Sequence, residues 1–175
     1  SKTTHSTTLE IAWTLLPILI LLGVSIPSFR LLRAQLVLPP ADVVVKVTGK
    51  QWFWSYEYPK DQNGGFGFDA TMLSDEDINK AVKEGKKPED MPRLLAVDNE
   101  VVVPVNKVVH LHVTAADVIH NFALPSFGVK IDAIPGRMNQ TWFKAEREGV
   151  YYGQCTRLCG ANHAYMPIAI RVVSE

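Results

Sequence analysis

YYGQCTRLCGANHAYMPI, residues 151–168, decides how the rest of the chain reads. An aromatic, strand-like run leads into it and an apolar run that starts at Pro167 leads out. Between them lie Cys155, Cys159, His163 and Met166, spaced C-x3-C-x3-H-x2-M, and both cysteines of the protein are in this one loop. Two thiols, an imidazole and a thioether form a soft donor set, which selects copper, zinc or an iron cluster over magnesium or calcium. Gly153 and Gly160 allow the close backbone turns that such a loop needs. A loop of this kind at the rim of a sheet lets its side chains converge on one point.

Most sites built on such donors need a second imidazole. His120, in ADVIHNFALPSFGV, ends a strand-like run just before a Pro/Ser/Gly turn and is the best candidate. His110 and His112 share one face of a strand among valines and read as packing positions, and His5 near the start has no partner in view. Four arrangements remain open on the residues alone. A disulfide between Cys155 and Cys159 leaves His163 and Met166 unexplained. Tetrahedral zinc on Cys155, Cys159, His163 and His120 leaves Met166 idle. A mononuclear blue copper site has one thiolate too many. Two coppers bridged by both thiolates use every donor, and this arrangement ranks first.

At 175 residues and 47% hydrophobic content the chain can bury one real core. Its 18 basic and 18 acidic residues cancel and are scattered, so the charge pattern excludes a nucleic-acid-binding surface. Two cysteines are too few for a disulfide scaffold.

The apolar residues are concentrated at one end. Residues 11–29, IAWTLLPILILLGVSIPSF, carry no charge, and as a helix these ~19 residues would span roughly 28 Å, close to the thickness of a bilayer core. No face of the run is polar, the flank is not basic, and no small-residue cleavage site follows, so it reads as a transmembrane helix in preference to a core helix or a signal peptide. Trp13, Arg30 and Arg33 fit interfacial anchors.

After Pro39-Pro40 the pattern changes to short segments rich in β-branched and aromatic residues, separated by turn signals. Residues 1–40 are therefore expected to form a membrane anchor with its helix over about 11–29, and residues 41–175 an antiparallel β-sandwich or barrel. Strands are expected at 42–49, 50–58, 93–97, 100–105, 107–115, 140–146, 149–154 and 167–173. A charged insertion over about 73–92, with Ser74 as N-cap and Gly85 as stop, interrupts them as a short surface helix.

Several long segments in order carry a family resemblance: LEIAWTLLPILILL, KQWFWSYEY, RLLAVDNEVVVP, ADVIHNFALPSFGVKIDAIPGRMNQ and YYGQCTRLCGANHAYMPI. From Thr8 to Val173 the chain resembles subunit II of haem-copper cytochrome c oxidase, in the mitochondrial and alphaproteobacterial style. The resemblance implies a mainly β, cupredoxin-like Greek-key domain behind a transmembrane helix. The family has two such helices, and this sequence holds the counterpart of the second. It also implies a dinuclear copper centre, CuA, on His120, Cys155, Cys159, His163 and Met166, with the backbone carbonyl of Arg157 as a further ligand.

The role implied is electron transfer from cytochrome c, through that centre, to haem in subunit I, where oxygen reduction is coupled to proton pumping. Trp52 matches the electron-entry tryptophan; on its own it is also a plain β aromatic, first of the alternating Trp52, Trp54, Tyr56 and Tyr58. Glu57, Asp98 and Asp117 match acids that attract a basic cytochrome c, and Glu10 matches a carboxylate at the entrance of a proton path. The implied location is the mitochondrial inner membrane or the bacterial cytoplasmic membrane, among lipid and other oxidase subunits, with the copper domain in the intermembrane space or periplasm. The alternatives are a copper-free quinol-oxidase-type subunit II and a purely structural subunit. One position departs from the family. Arg157 stands where the family has a glutamate that helps hold magnesium at the subunit I interface, and a guanidinium has no acceptor to offer, which puts that magnesium in doubt.

Overall fold

The computed structural model describes residues 2, 4–61 and 65–174; the outermost residues of the two expected segments, 1 and 175, lie outside them. Helix α1 (Thr7–Leu36) has 30 residues and no buried side chain. It runs past the apolar stretch at both ends, because Leu31, Leu32, Ala34 and Leu36 are good helix formers. Leu38 precedes Pro39, and the proline ring pushes it out of the helical region. Thr14, Ser25 and Ser28 fold their hydroxyls onto the carbonyls of Glu10, Leu22 and Val24, each at 2.8 Å, so these polar groups are satisfied within the helix. The helix is long and apolar enough to cross a membrane.

Residues from Leu38 onward make a second compact unit of two five-stranded sheets. Its strands are β1 (Val43–Lys50), β2 (Phe53–Tyr58), β3 (Phe66–Ala70), β4 (Val101–Pro104), β5 (Val108–Ala115), β6 (His120–Leu124), β7 (Val129–Ala133), β8 (Asn139–Lys144), β9 (Gly149–Cys155) and β10 (Pro167–Val173). One sheet has the order β3-β2-β1-β5-β8 and the other β4-β10-β9-β6-β7. This is the cupredoxin-like, mainly β architecture that the resemblance implies.

Strand direction and the set of strands both differ from the expected sandwich. β1 runs parallel to β5, and β4 runs parallel to β10. In-out alternation is the same for either direction, so the sequence pattern does not carry strand direction. Residues 93–97, expected as a strand, instead form a turn in which Leu94 has φ 67, and Val97 makes only an isolated bridge to Met72. Conversely, β3 (FGFDA), β6 (HNFAL) and β7 (VKIDA) were not among the expected strands: Gly67 and Asp69 are poor β formers, and His120, read as the end of a strand-like run, instead opens β6.

The core forms where the two sheets face each other. β5 alternates strictly, burying Val109, Leu111, Val113 and Ala115 while His110 and His112 sit half-buried on the outer face. Trp54 and Tyr56 of β2 are buried against Phe122 of β6, with the Trp54 and Phe122 rings edge-on at 5.1 Å. Each fully buried Leu, Ile or Phe contributes roughly 1.5–3 kcal/mol, against about 1 kcal/mol net for a hydrogen bond, so apolar packing dominates the stability. Tyr58 adds a polar tie between the sheets: its hydroxyl donates to Val102 O at 2.8 Å and accepts from Val102 N at 3.1 Å.

The charged insertion holds helix α2 (Asp75–Lys83), started by a capping box between Ser74 and Asp77 and left through Gly85 at φ 94. Arg93 pairs with Asp75 at 2.9 Å, but both are exposed, and such a pair contributes ~1 kcal/mol at most.

β6 and β9 approach each other closely. A Cβ at Gly153 would lie 2.0 Å from the Ala123 carbonyl oxygen, which is backbone and cannot move aside. Gly153→Ala is expected to destabilise the domain by about 3 kcal/mol, read as a lowered urea midpoint. An unchanged midpoint would show that the two strands are free to separate.

Candidate metal centre

Strands β6 and β9 are hydrogen-bonded neighbours, with Phe122 opposite Cys155. His120 opens β6, Cys155 closes β9, and Met166 stands just before β10, so three donors arrive on rigid elements. Cys159 and His163 come from the loop between β9 and β10. His120, Cys155, Cys159 and Met166 are 0%, 5%, 5% and 1% exposed, and His163 is half-buried.

The donor atoms converge. One ligand atom each of His120, Cys155 and Cys159 lies within 4.8 Å of the others. Cys159 Sγ is 3.5 Å from His163 Nδ1 and 3.5 Å from Met166 Sδ. The two sulfurs are 3.9 Å apart and the cysteines are free; a disulfide would need about 2.05 Å. Arg157 O faces Cys155 Sγ at 3.2 Å.

His120 is held from behind. Its Nε2 bonds Asp117 Oδ1 at 2.8 Å, while Nδ1 is buried and has no hydrogen-bond partner among the described residues. With Nε2–H donated to the carboxylate, Nδ1 keeps its lone pair, which is the usual arrangement of a metal-ligating histidine. Leaving a buried nitrogen unsatisfied costs about 1–3 kcal/mol, and a bound metal ion would remove that cost. Trp54 stacks edge-on to the imidazole at 5.9 Å, and its indole N–H donates to Met166 O at 3.2 Å. A Cβ at Gly49 would lie 2.9 Å from His120 Cδ2, so the ring fills the space that any side chain at 49 would need.

The electrostatics favour one ionised sulfur in the absence of metal. Burial opposes ionisation of Cys155, but the facing His120 imidazole and the Asn121 backbone outweigh it and bring the thiol down to about 6. Burial and the charge of Cys155 push the Cys159 thiol up. For His120, burial pulls the pKa down, but Cys155 and Asp117 prevail and raise it. Partial burial works against the Asp117 carboxylate, yet hydrogen bonds from His120 and from the Val118 and Gln51 amides hold it below the usual range.

Trp52 lies in the turn before β2, off the face that Trp54, Tyr56 and Tyr58 share. It is half-buried and packs on the loop: a Cβ at Gly160 would meet Trp52 Cζ2 at 2.9 Å. Arg157 turns outward and bonds Asp132 Oδ2 at 2.9 Å. Asp132 Oδ1 in turn accepts from Asn121 Nδ2 at 2.7 Å, and Asn121 Oδ1 accepts from Thr156 Oγ1 at 2.7 Å.

The acids matched to docking are exposed but have local tasks. Glu57 pairs with Lys46 at 3.1 Å, Asp98 accepts from the Thr71 amide at 2.7 Å, and Asp117 serves His120. Glu10 is exposed in the first turn of α1. His110 Nε2 is 2.7 Å from Pro39 O, away from the metal centre.

Sequence reasoning missed Gln51, whose side chain donates to Cys159 O at 2.9 Å, and Asp132. No spacing rule links Asp132 to Arg157 or Gln51 to Cys159, whereas the i,i+3 spacing of Asp117 and His120 was a usable signal.

The two-sheet fold and the buried His/Cys/Cys cluster at its rim define a metal-binding protein of the cupredoxin-like class, carrying a membrane-length helix. Residues 43–173 match the family described as cytochrome c oxidase subunit II, periplasmic domain, and residues 1–31 match its transmembrane domain. The chain is 51% identical over 175 residues to a probable cytochrome c oxidase subunit 2 of Rickettsia bellii, covering 100% of this chain and 61% of the relative. It is 47% identical over 186 residues to cytochrome c oxidase subunit 2 of Cereibacter sphaeroides, covering 100% and 60%. The crystal structure of the periplasmic domain of subunit II from Bradyrhizobium japonicum superposes with a TM-score of 0.68 at 58% identity, covering 79% of this chain and 89% of that one. The chain belongs to the cytochrome c oxidase subunit II family. It spans between about half and two thirds of the length of the curated relatives it matches.

The thiols give a pH test. Thiolate absorbance of the metal-free protein should rise in one step near pH 6, with the second thiol still protonated well above neutrality. Because Cys155 ionises below its ordinary value of 9.0, the stabilisation it adds is complete above that value and is lost as pH falls through about 6. Cys155→Ser should delete the early step; its survival in that variant would reverse the assignment of the two sulfurs.

Proposed function

We propose that this chain is the electron-transfer subunit of a terminal respiratory oxidase, with the helix in the membrane and the β-domain on the extracytoplasmic side. The convergence of five soft donors, none of them surplus, carries this reading. Zinc would leave Met166 unused, and blue copper would leave a thiolate unused. Two coppers held by His120, Cys155, Cys159, His163 and Met166, with Arg157 O beside Cys155, account for the whole set. Bound there, the pair would take and give one electron at a time, from cytochrome c towards haem in subunit I.

The chain's own residues do the rest. Burial of the four main donors excludes water from the centre, and Asp117 fixes the His120 ring so that Nδ1 faces inward. Trp52, packed on Gly160 beside Cys159, is the entry point for electrons. Asp98 and Asp117 draw a basic cytochrome towards this rim, with Glu57 contributing less because Lys46 partly offsets it. Such steering fades as salt rises. Glu10, at the head of α1, is assigned to the entrance of the proton path in subunit I.

A quinol-oxidase-type or purely structural subunit II would have no use for the intact donor set. Copper analysis and EPR of the purified protein decide between these readings. Two coppers per chain with a delocalised mixed-valence signal are expected, and Cys155→Ser should abolish the signal while the β-sheet circular dichroism stays. One tightly held zinc would sink the proposal.

Magnesium does not fit. A hard cation needs oxygen donors, and at 157 there is a guanidinium. The nearby Asp132 carboxylate is already taken by Arg157 and Asn121. The same pairing offsets the arginine's charge beside the coppers. Manganese, used as a paramagnetic stand-in, should give no bound EPR signal in the assembled complex, and Arg157→Glu, which frees Asp132 and adds a carboxylate, should create one. A bound manganese signal in the unmodified complex would contradict this.

A further inference from the structure

Gln51 touches the centre from two sides without being a ligand. Its backbone N–H donates to Asp117 Oδ2 at 2.7 Å, and the other oxygen of that carboxylate holds His120 Nε2 at 2.8 Å. Its side-chain Nε2 donates to Cys159 O at 2.9 Å. Gln51 therefore joins the segments that carry His120 and Cys159, whose ligand atoms meet within 4.8 Å. The next residue is Trp52. Gly160 is packed under both, since a Cβ there would lie 3.1 Å from Gln51 Nε2 and 2.9 Å from Trp52 Cζ2. At φ +128 this glycine also adopts a backbone conformation that side chains resist.

From this circuit we propose that Gln51 is a positioning residue: it holds the Trp52 indole at a fixed separation from the Cys159 side of the metal centre. Electron transfer falls steeply with distance, so a turn left free to drift would slow entry even with the metal ligands undisturbed. The inference rests on the electron-transfer reading and on the entry role given to Trp52. Trp52 is half-buried against the core, but among the described residues its buried indole Nε1 has no hydrogen-bond partner, so no polar contact of its own fixes the ring. The Gln51 backbone ties the turn to Asp117, and its carboxamide supplies the directional tie to the Cys159 segment. One such bond is worth about 1 kcal/mol net, which corresponds to about a fivefold change in the population of the held conformation.

Gln51→Met keeps the size and neutrality and removes the donor. In the metal-free full chain in detergent, the Trp52 indole and Gly160 amide resonances should both shift in Q51M, while those of β7 and β8 stay in place. In the copper-loaded complex, electron entry from reduced cytochrome c should slow about fivefold in Q51M, with copper content and EPR signal unchanged. The double variant with Trp52→Phe should be no slower than Trp52→Phe alone, because both act on one contact. Unmoved Trp52 and Gly160 resonances, or slowing that multiplies independently with Trp52→Phe, would overturn the inference. If Trp52→Phe has no effect on entry, the entry role of Trp52 fails, and the resonance shifts alone decide whether Gln51 positions the turn.

Discussion

The metal centre depends on the contact between β6 and β9. At Gly153 the two strands are so close that a methyl group would sit 2.0 Å from the Ala123 carbonyl oxygen. That approach sets Cys155 opposite Phe122 and within reach of His120, two residues earlier on the same strand. The fold is built around it: Trp54 closes over His120 from the other sheet, and Gly49 leaves room for the ring by having no side chain. The centre is thus an extension of the core, on which the loop is hung.

Burying these donors has a cost that the scaffold distributes. A carboxylate, an imidazole and two thiols close together resist desolvation unless each is partnered. Asp117 is satisfied by two backbone amides and His120, and Asn121 and Thr156 bind one another on the outer side of the loop. Among the described residues, His120 Nδ1 stays unsatisfied on the side where the sulfurs gather. A metal ion binding there gains the energy of a preformed pocket and adds that energy to the stability of the domain.

Arg157 separates two properties that share one residue. Its carbonyl points at Cys155 and is independent of the side chain, while its guanidinium points outward to Asp132. The soft site and the outer surface can therefore change independently. An exposed pair of this kind contributes little stability.

Much of this was readable from residues alone, for definite reasons. Soft donors in C-x3-C-x3-H-x2-M order restrict the chemistry whatever the fold, and an uncharged run of bilayer length declares a membrane helix through its composition. β-branched and aromatic content marked β5, β9 and β10 as strands, and in β5 burial on one face also imposes period two. Strand direction was not readable, because alternation is blind to it, and neither was the turn at residues 93–97, where Leu94 takes a left-handed conformation within an apolar run. Trp52 leaves the face it would share with Trp54, Tyr56 and Tyr58 because the chain turns before β2. The ties Gln51–Cys159 and Asp132–Arg157 join residues 108 and 25 positions apart, and no local pattern encodes such pairs. Local chemistry determined which donors exist and what they prefer to bind; long-range packing decided which backbone groups and carboxylates stand behind them, because those contacts exist only once the two sheets have closed.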